Sequence, residues 1–312
     1  MIKKTLYFGN PAYLKKEQDQ LKIEFPKEEG KQNRTIPIED IGILILDHPR
    51  LTVTQALLQA LIENNAALLS CDSRHLPAGL FMPMSANHIY TEKLRYQLES
   101  SEPLRKNLWQ QTVKAKIDNQ AKVLLLRGKE AENMQYWSSK VRSGDPDNYE
   151  GRAAANYWAK LIEGEVRFKR YRYGEPPNNL LNYGYAVLRA IVARSLVASG
   201  MLPAVGIHHR NKYNPFCLAD DIMEPYRPYV DLLVLEVAAN YEEEELETLP
   251  PELKRELLTL PTLDVWIEEQ KSPLMVAMQR TTASLMQCYE GEKRKIAYPE
   301  IQVEWVTAFP KF

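Results

Sequence analysis

Two adjacent histidines and three carboxylates fall within one short stretch, GIHHRNKYNPFCLADDIMEPYRP, from Gly206 to Pro228. Imidazole and carboxylate together form the donor set that suits Mn, Mg or Zn. Asp221 and Glu224 are three residues apart and Asp220 and Glu224 four apart, so on a helix they share a face. Like charges placed this way lower stability unless a cation or a proton lies between them. The cluster therefore reads as a divalent-metal site. The competing reading is a helix start in which Asp220 and Asp221 serve as caps ahead of Pro225. Another carboxylate, Glu150, opens EGRAAANYW just after the Asp145-Pro146 turn. Alone it reads as an acid placed favourably in a helix's first turn. With one histidine and one carboxylate of the 208–224 stretch it completes a three-ligand site with open water positions. Neighbouring side chains diverge, so only one of His208 and His209 need bind. His48, His75 and His88 lack carboxylate company and read as structural.

A different chemistry is offered by the loop from Arg167 to Tyr173. It interleaves Arg167, Lys169, Arg170 and Arg172 with Phe168, Tyr171 and Tyr173. Cations neutralise phosphates and rings stack on bases, but the same alternation also suits the edge of a β-hairpin. The chain's net charge is −1, yet residues 91–230 hold 22 Lys/Arg against 15 Asp/Glu. The compensating acid sits largely in the solvated run Glu242 to Glu247. A segregated basic region is what a phosphate-binding face requires. Arg189 and Arg194, on a mostly apolar helical stretch, read as structural ion-pair partners. There is no GxSxG, P-loop or dinucleotide fingerprint, which removes those enzyme classes.

The elements that position these residues change character along the chain. Thr5 to Phe8, Leu21 to Phe25, Arg34 to Ile38, Ile41 to Asp47, Ala66 to Cys71 and Leu76 to Met82 read as strands, interrupted by a helix over Thr52 to Asn64. From about Tyr90 the pattern is helical: Glu92 to Gly128 with a break near Pro103, then Glu130 to Arg142, Asn148 to Ile162 and Leu180 to Ser199. A helix from Pro228, then Leu253 to Leu260, Asp264 to Glu269 and Leu274 to Tyr289 follow. The expected fold is α+β, with a small β-rich, sandwich-like domain over residues 1–86 and a larger all-helical domain over 87–312. No apolar run approaches the roughly 18–20 residues that span a bilayer. The start, MIKKTLYFGN, lacks the apolar region of a secretion signal. Three widely spaced cysteines, Cys71, Cys217 and Cys288, form no CxxC pair and suit a reducing compartment, so the cytoplasm is the expected location.

Several of these segments together resemble the CRISPR-associated spacer-acquisition integrase family, in the form found in type II systems. The similarity is carried by EGRAAANYW, NNLLNYGYAVLRAIVARSL and the Gly206–Pro228 stretch, joined by CDSRHLPAGLFMP and EPLRKNLWQQTVKAKIDNQA. It implies a divalent-metal-dependent DNA endonuclease and strand transferase that inserts captured fragments into a CRISPR repeat array. It implies Glu150, His209 and Glu224 as the Mg2+ or Mn2+ ligands and catalytic set, with His208 the neighbouring candidate and Asp221 assisting. The implied partners are double-stranded DNA, a second copy of the chain, a second small adaptation protein and other type II CRISPR proteins, with no membrane. Two readings stay beside it: a catalytically idle DNA-binding scaffold, and a metal-dependent nuclease of branched DNA in repair.

Overall fold

The computed structural model describes residues 3–26, 30–73, 75–84, 87–162, 168–171 and 174–302. The N-terminal part holds two four-stranded sheets. The first has the order β1 (Lys4–Phe8), β5 (Ile41–Leu46), β7 (Ala67–Cys71), β8 (Pro77–Phe81), with β1, β5 and β7 mutually parallel and β8 antiparallel to β7. The second has the order β4 (Arg34–Pro37), β3 (Gln20–Glu24), β2 (Ala12–Glu17), β6 (Leu51–Val53). Strand β5, IGILIL, is apolar throughout because both of its faces are covered, as expected for a central parallel strand. Ile41 and Leu44 join Leu14, Leu21 and helix α1 (Gln55–Glu63) in one small core. Ile43, Ile45 and Leu69 instead belong to the large core of the helical part. The first sheet is thus a shared wall between two cores. The boundary expected at residue 86 falls on residues 85–86, outside the described ones.

The helical part comprises α2 (Tyr90–Leu98), α3 (Glu102–Leu126), α4 (Glu132–Lys140), α5 (Tyr149–Leu161), α6 (Asn178–Ala198), α7 (Cys217–Met223), α8 (Arg227–Ala238), α9 (Glu243–Thr248), α10 (Pro251–Leu257) and α11 (Leu274–Tyr289). The break expected near Pro103 is the gap between α2 and α3, and Pro103 opens the second of these helices. It lies in the first turn of α3, where its missing N–H costs nothing, and Ser101 caps that turn by accepting from the Leu104 N–H. Helix α3 packs against α4, α5, α8 and the one-turn 3₁₀ segment Glu224–Tyr226.

Three expectations need correction. Asp264 to Glu269 is not helical, and the C-terminal part is not wholly so: β9 (Asp264–Ile267) and β10 (Gln270–Pro273) form an antiparallel hairpin. Val265 and Ile267 are buried while Trp266 is 39% exposed, which is period-two alternation. The turn residues Glu268 and Glu269 both have positive φ, a geometry usually signalled by Asn-Gly and hidden here by two glutamates. Strands β2 and β6 were not anticipated. Ala12 and Leu14 are the buried residues of β2, whose other positions are charged or face solvent, and β6 has only three residues. The acidic run is solvated as expected, but it folds as α9 behind a Glu242–Glu245 capping box.

The two cores are pinned by a buried ion pair. Lys254 of α10 places Nζ 2.8 Å from Asp47 Oδ2, with side chains 3% and 1% exposed. Tyr7 donates to the same oxygen, and the His75 ring meets Oδ1. Removing one partner of a buried pair leaves an uncompensated charge. Lys254→Met is therefore expected to lower unfolding free energy by about 3–5 kcal/mol in a urea titration. Adding Asp47→Asn should recover much of that loss, and full additivity of the two changes would show that the pair is not coupled.

Candidate active site

Glu150 is set in the first turn of α5 by three local bonds. Asn148, in the left-handed conformation, caps the helix by accepting from the Gly151 N–H, and Asp145 accepts from the N–H groups of Tyr149 and Glu150. A Cβ on Gly151 would lie 2.8 Å from Asn148 Oδ1, so the cap requires a glycine there. Glu224 begins the 3₁₀ turn between α7 and α8, and Pro225 stands in its first turn. Lys116, in the middle of α3 and 6% exposed, brings the two together. Its ammonium is ion-paired with Glu150 and lies 2.6 Å from Glu224 Oε2. That approach lacks hydrogen-bond alignment, so the buried Oε2 atom has no proper donor. The other oxygen, Oε1, accepts from Arg227 Nε at 2.8 Å.

The charges hold one another in place. Burial opposes the ionised form of Glu224, but Arg227 and Lys116 outweigh it and hold the pKa down at about 2. Burial likewise opposes the Lys116 ammonium, and the Glu224 and Glu150 carboxylates overcome it, keeping its pKa above the ordinary value. Glu224 and Lys116 therefore both stay charged.

The histidines diverge. Asp221, fully buried, accepts from the backbone N–H groups of Ile207, His208 and His209 and meets His209 Nδ1 at 2.5 Å. It therefore folds the histidine loop rather than capping α7, whose N-cap is Phe216 without a side-chain bond. A Cβ at Gly206 would sit 2.4 Å from the His209 carbonyl oxygen and 2.7 Å from Asp221 Oδ2, so the loop closes only over a glycine. With Nδ1 committed to Asp221, Nε2 is the His209 nitrogen that could bind a metal. His208 lies flat on Trp109, with ring centroids 4.2 Å apart. Burial lowers its pKa. Asp220 pairs with Arg189 and Asn214.

The donor types match a hard divalent cation, and Glu224 Oε2 is held by the Lys116 ammonium without hydrogen-bond alignment. As placed, no three His, Cys, Asp or Glu side chains among the described residues stand together around one point. The ammonium fills the space between the two carboxylates, and His209 is turned to Asp221. Lys116 was missed in the sequence, although a signal existed. Thr112, Lys116 and Gln120 run beside the apolar stripe Val113, Ile117, Ala121 at the same helical spacing, which marks Lys116 as buried.

Of the basic loop, Arg167 and Arg172 lie outside the described residues. Lys169 is exposed, whereas Arg170 turns inward, donating to Asn178 and Asn182 and lying 5.1 Å from the Tyr185 ring centroid. The described part, 168–171, forms no strand. Arg189 pairs with Asp220, as read from the sequence, whereas Arg194 is held by the Asn65 carbonyl rather than by an acid. An open groove of about 710 Å³ beside His209 adds basic residues that the sequence reading passed over. Arg105, Arg210, Lys212 and the 81%-exposed Tyr213 line it.

The family model described as "CRISPR associated protein Cas1" matches residues 6–248. A Neisseria meningitidis protein named CRISPR-associated endonuclease Cas1 is 38% identical over 305 residues, covering 96% of this chain and 97% of that protein. The chain belongs to the Cas1 family. Among solved structures, a casposase bound to integration product superposes with a TM-score of 0.79 at 20% identity, covering 96% of this chain and 95% of the other. A chain of a Cas6-RT-Cas1–Cas2 complex gives 0.72 at 19% identity, covering 94% of this chain and 36% of that longer one. At these identities the structural likeness speaks for the Cas1 fold: a β-rich N-terminal part followed by a helical part. Among the described residues, no helix is long and apolar enough to cross a membrane.

The hydrogen bond its ring donates to Asp221 raises the His209 pKa above its ordinary 6.5 despite burial. A pKa raised on folding contributes stability that is complete below about pH 6.5 and fades as the pH rises through the folded value. Asp221→Asn should lower the His209 midpoint measured by NMR and flatten the fall in melting temperature above that pH. An unmoved midpoint would exclude Asp221 as the cause.

Proposed function

We propose that this protein is a CRISPR adaptation integrase, a divalent-metal-dependent DNA strand transferase and endonuclease. Its substrates are a short captured duplex and the CRISPR repeat. The observation that carries the reading is the convergence of Glu150 and Glu224 on one buried ammonium, with the Asp221-oriented His209 alongside, in a chain of the Cas1 family. Glu150, His209 and Glu224 are the residues that hold Mg2+ or Mn2+. A bound divalent ion polarises the phosphoryl oxygen and neutralises charge in an in-line displacement.

The chain's own residues do the rest. Arg227 keeps Glu224 ionised and aimed, and Asp221 fixes the ring of His209. The groove with Arg105, Arg210 and Lys212 draws the phosphate backbone of the fragment's end to the site, and Tyr213 offers a ring for stacking. The exposed Lys169 adds a further cation for the phosphate backbone. In joining, the 3′-oxygen of the fragment forms a bond to a repeat phosphorus and loses its proton. The bond from that phosphorus to the 3′-oxygen of the repeat strand breaks, and the departing oxygen takes up a proton. If water attacks instead, the strand is cut; positioning selects between the two.

Residues 1–86 form the dimerisation domain and 87–312 the catalytic one. Likeness to a chain of a Cas6-RT-Cas1–Cas2 complex supports a small adaptation partner, and the chain also pairs with a second copy of itself. The free cysteines suit the cytoplasm.

Glu150→Ala, His209→Ala and Glu224→Ala should each abolish metal-dependent joining of a labelled duplex into a repeat-bearing plasmid, by at least about a hundredfold. Their circular dichroism and duplex affinity should stay near wild type. Binding without joining by the wild-type protein, even with the partner supplied, would favour an idle scaffold. Cutting of branched DNA with no repeat preference would favour a repair nuclease.

A further inference from the structure

An ordinary structural ion pair needs one acid and one base. Lys116 has two acids, and both are the carboxylates assigned above as metal ligands. Glu224 is moreover already neutralised by Arg227. Two carboxylates thus face two cations, Lys116 and Arg227, and the charge count closes without a metal. Adding a divalent ion to the same carboxylates leaves two surplus positive charges in a buried place, a cost that falls if one resident cation leaves. Arg227 is fixed by a bond from Nε and by the Tyr185 ring, whose centroid lies 4.5 Å from its guanidinium carbon. Lys116 is held through a compact ammonium on a flexible four-carbon stem, and its contact with Glu224 Oε2 is unaligned.

We propose that Lys116 is a resident stand-in for the metal: it keeps Glu150 and Glu224 converged while the site is metal-free, and metal must displace it to bind. The inference rests on the metal-site reading of these carboxylates and deepens it. Lys116 is a positioning residue that sets how tightly the protein takes up metal. It also explains how two acids from α5 and the α7–α8 junction stay side by side before any ion arrives.

The test measures free Mn2+ by electron paramagnetic resonance during titration of the full chain, without DNA. Lys116→Met and Lys116→Gln should each bind Mn2+ roughly tenfold more tightly than wild type. Each should melt at a lower temperature than wild type without metal and show a larger rise in melting temperature on adding Mn2+. A folded variant that binds Mn2+ no more tightly than wild type overturns the proposal. Should neither variant fold, the wild-type protein decides. Pulse acetylation of Lys116, read by mass spectrometry, should accelerate several-fold when Mn2+ saturates the protein, and an unchanged rate overturns displacement. Failure of the underlying reading is separate: a wild-type chain that takes up no Mn2+ overturns the metal site and the stand-in together.

Discussion

The Lys116 ammonium is the hinge of the arrangement, because a buried Glu224 and a half-buried Glu150 cannot stand side by side without a cation between them. Everything around it serves that constraint. Helix α3 runs for 25 residues through the middle of the helical part, and its buried polar stripe carries more than Lys116. Three residues on, Asn119 donates to the carbonyls of Pro225 and Pro299 and accepts from the Ile301 N–H. The same helix therefore supplies the charge that attracts Glu224 and the amide that fixes the turn bearing it. An apolar residue at position 119 would leave three backbone groups of that turn and the C-terminal strap without partners.

Behind Glu224 the compensation continues in layers. Arg227 and Arg170 both lie over the Tyr185 ring, and the Tyr185 hydroxyl donates to Asp231, which Tyr157 also contacts. Burial raises the Asp231 pKa to about 6 against the pull of those two hydroxyls and the two guanidiniums. Tyr157 belongs to α5, the helix that carries Glu150, so the two carboxylates are tied a second time at greater depth. Arg170, which reads from sequence as a phosphate contact, is spent on this inner network. What decides its role is the pair of asparagines one and two turns into the region it faces, Asn178 and Asn182 on α6, and no local pattern reveals them.

Legibility followed the range of the interaction. The strands β5 and β7 and the helices α5, α6 and α11 are written in local periodicity and composition, and they stand where that pattern puts them. Strand β2 was hidden because few of its residues are buried, and the β9–β10 hairpin because its turn uses glutamates at positive φ. The site was half legible. The residue types at 150, 209 and 224 announce donors, but Lys116 is 34 positions from Glu150 and reads as one more lysine in a basic helix. Asp47 and Lys254, 207 positions apart, lay wholly beyond reach. Long-range electrostatics leaves no period in a sequence.

The shared sheet gives the small β-rich part a role beyond its own core. Ile43, Ile45 and Leu69 are built into the same cluster as Ile222, Tyr226 and Val230, the residues that flank Glu224. A close-packed core transmits a displacement rather than absorbing it, so the sheet cannot shift against the helices without pressing on the turn that holds Glu224. Lys254 and Arg194 reinforce that wall, meeting Asp47 and the Asn65 carbonyl from the helical side. A second copy of the chain docked on the N-terminal part would therefore load a face whose reverse side is continuous with the active site.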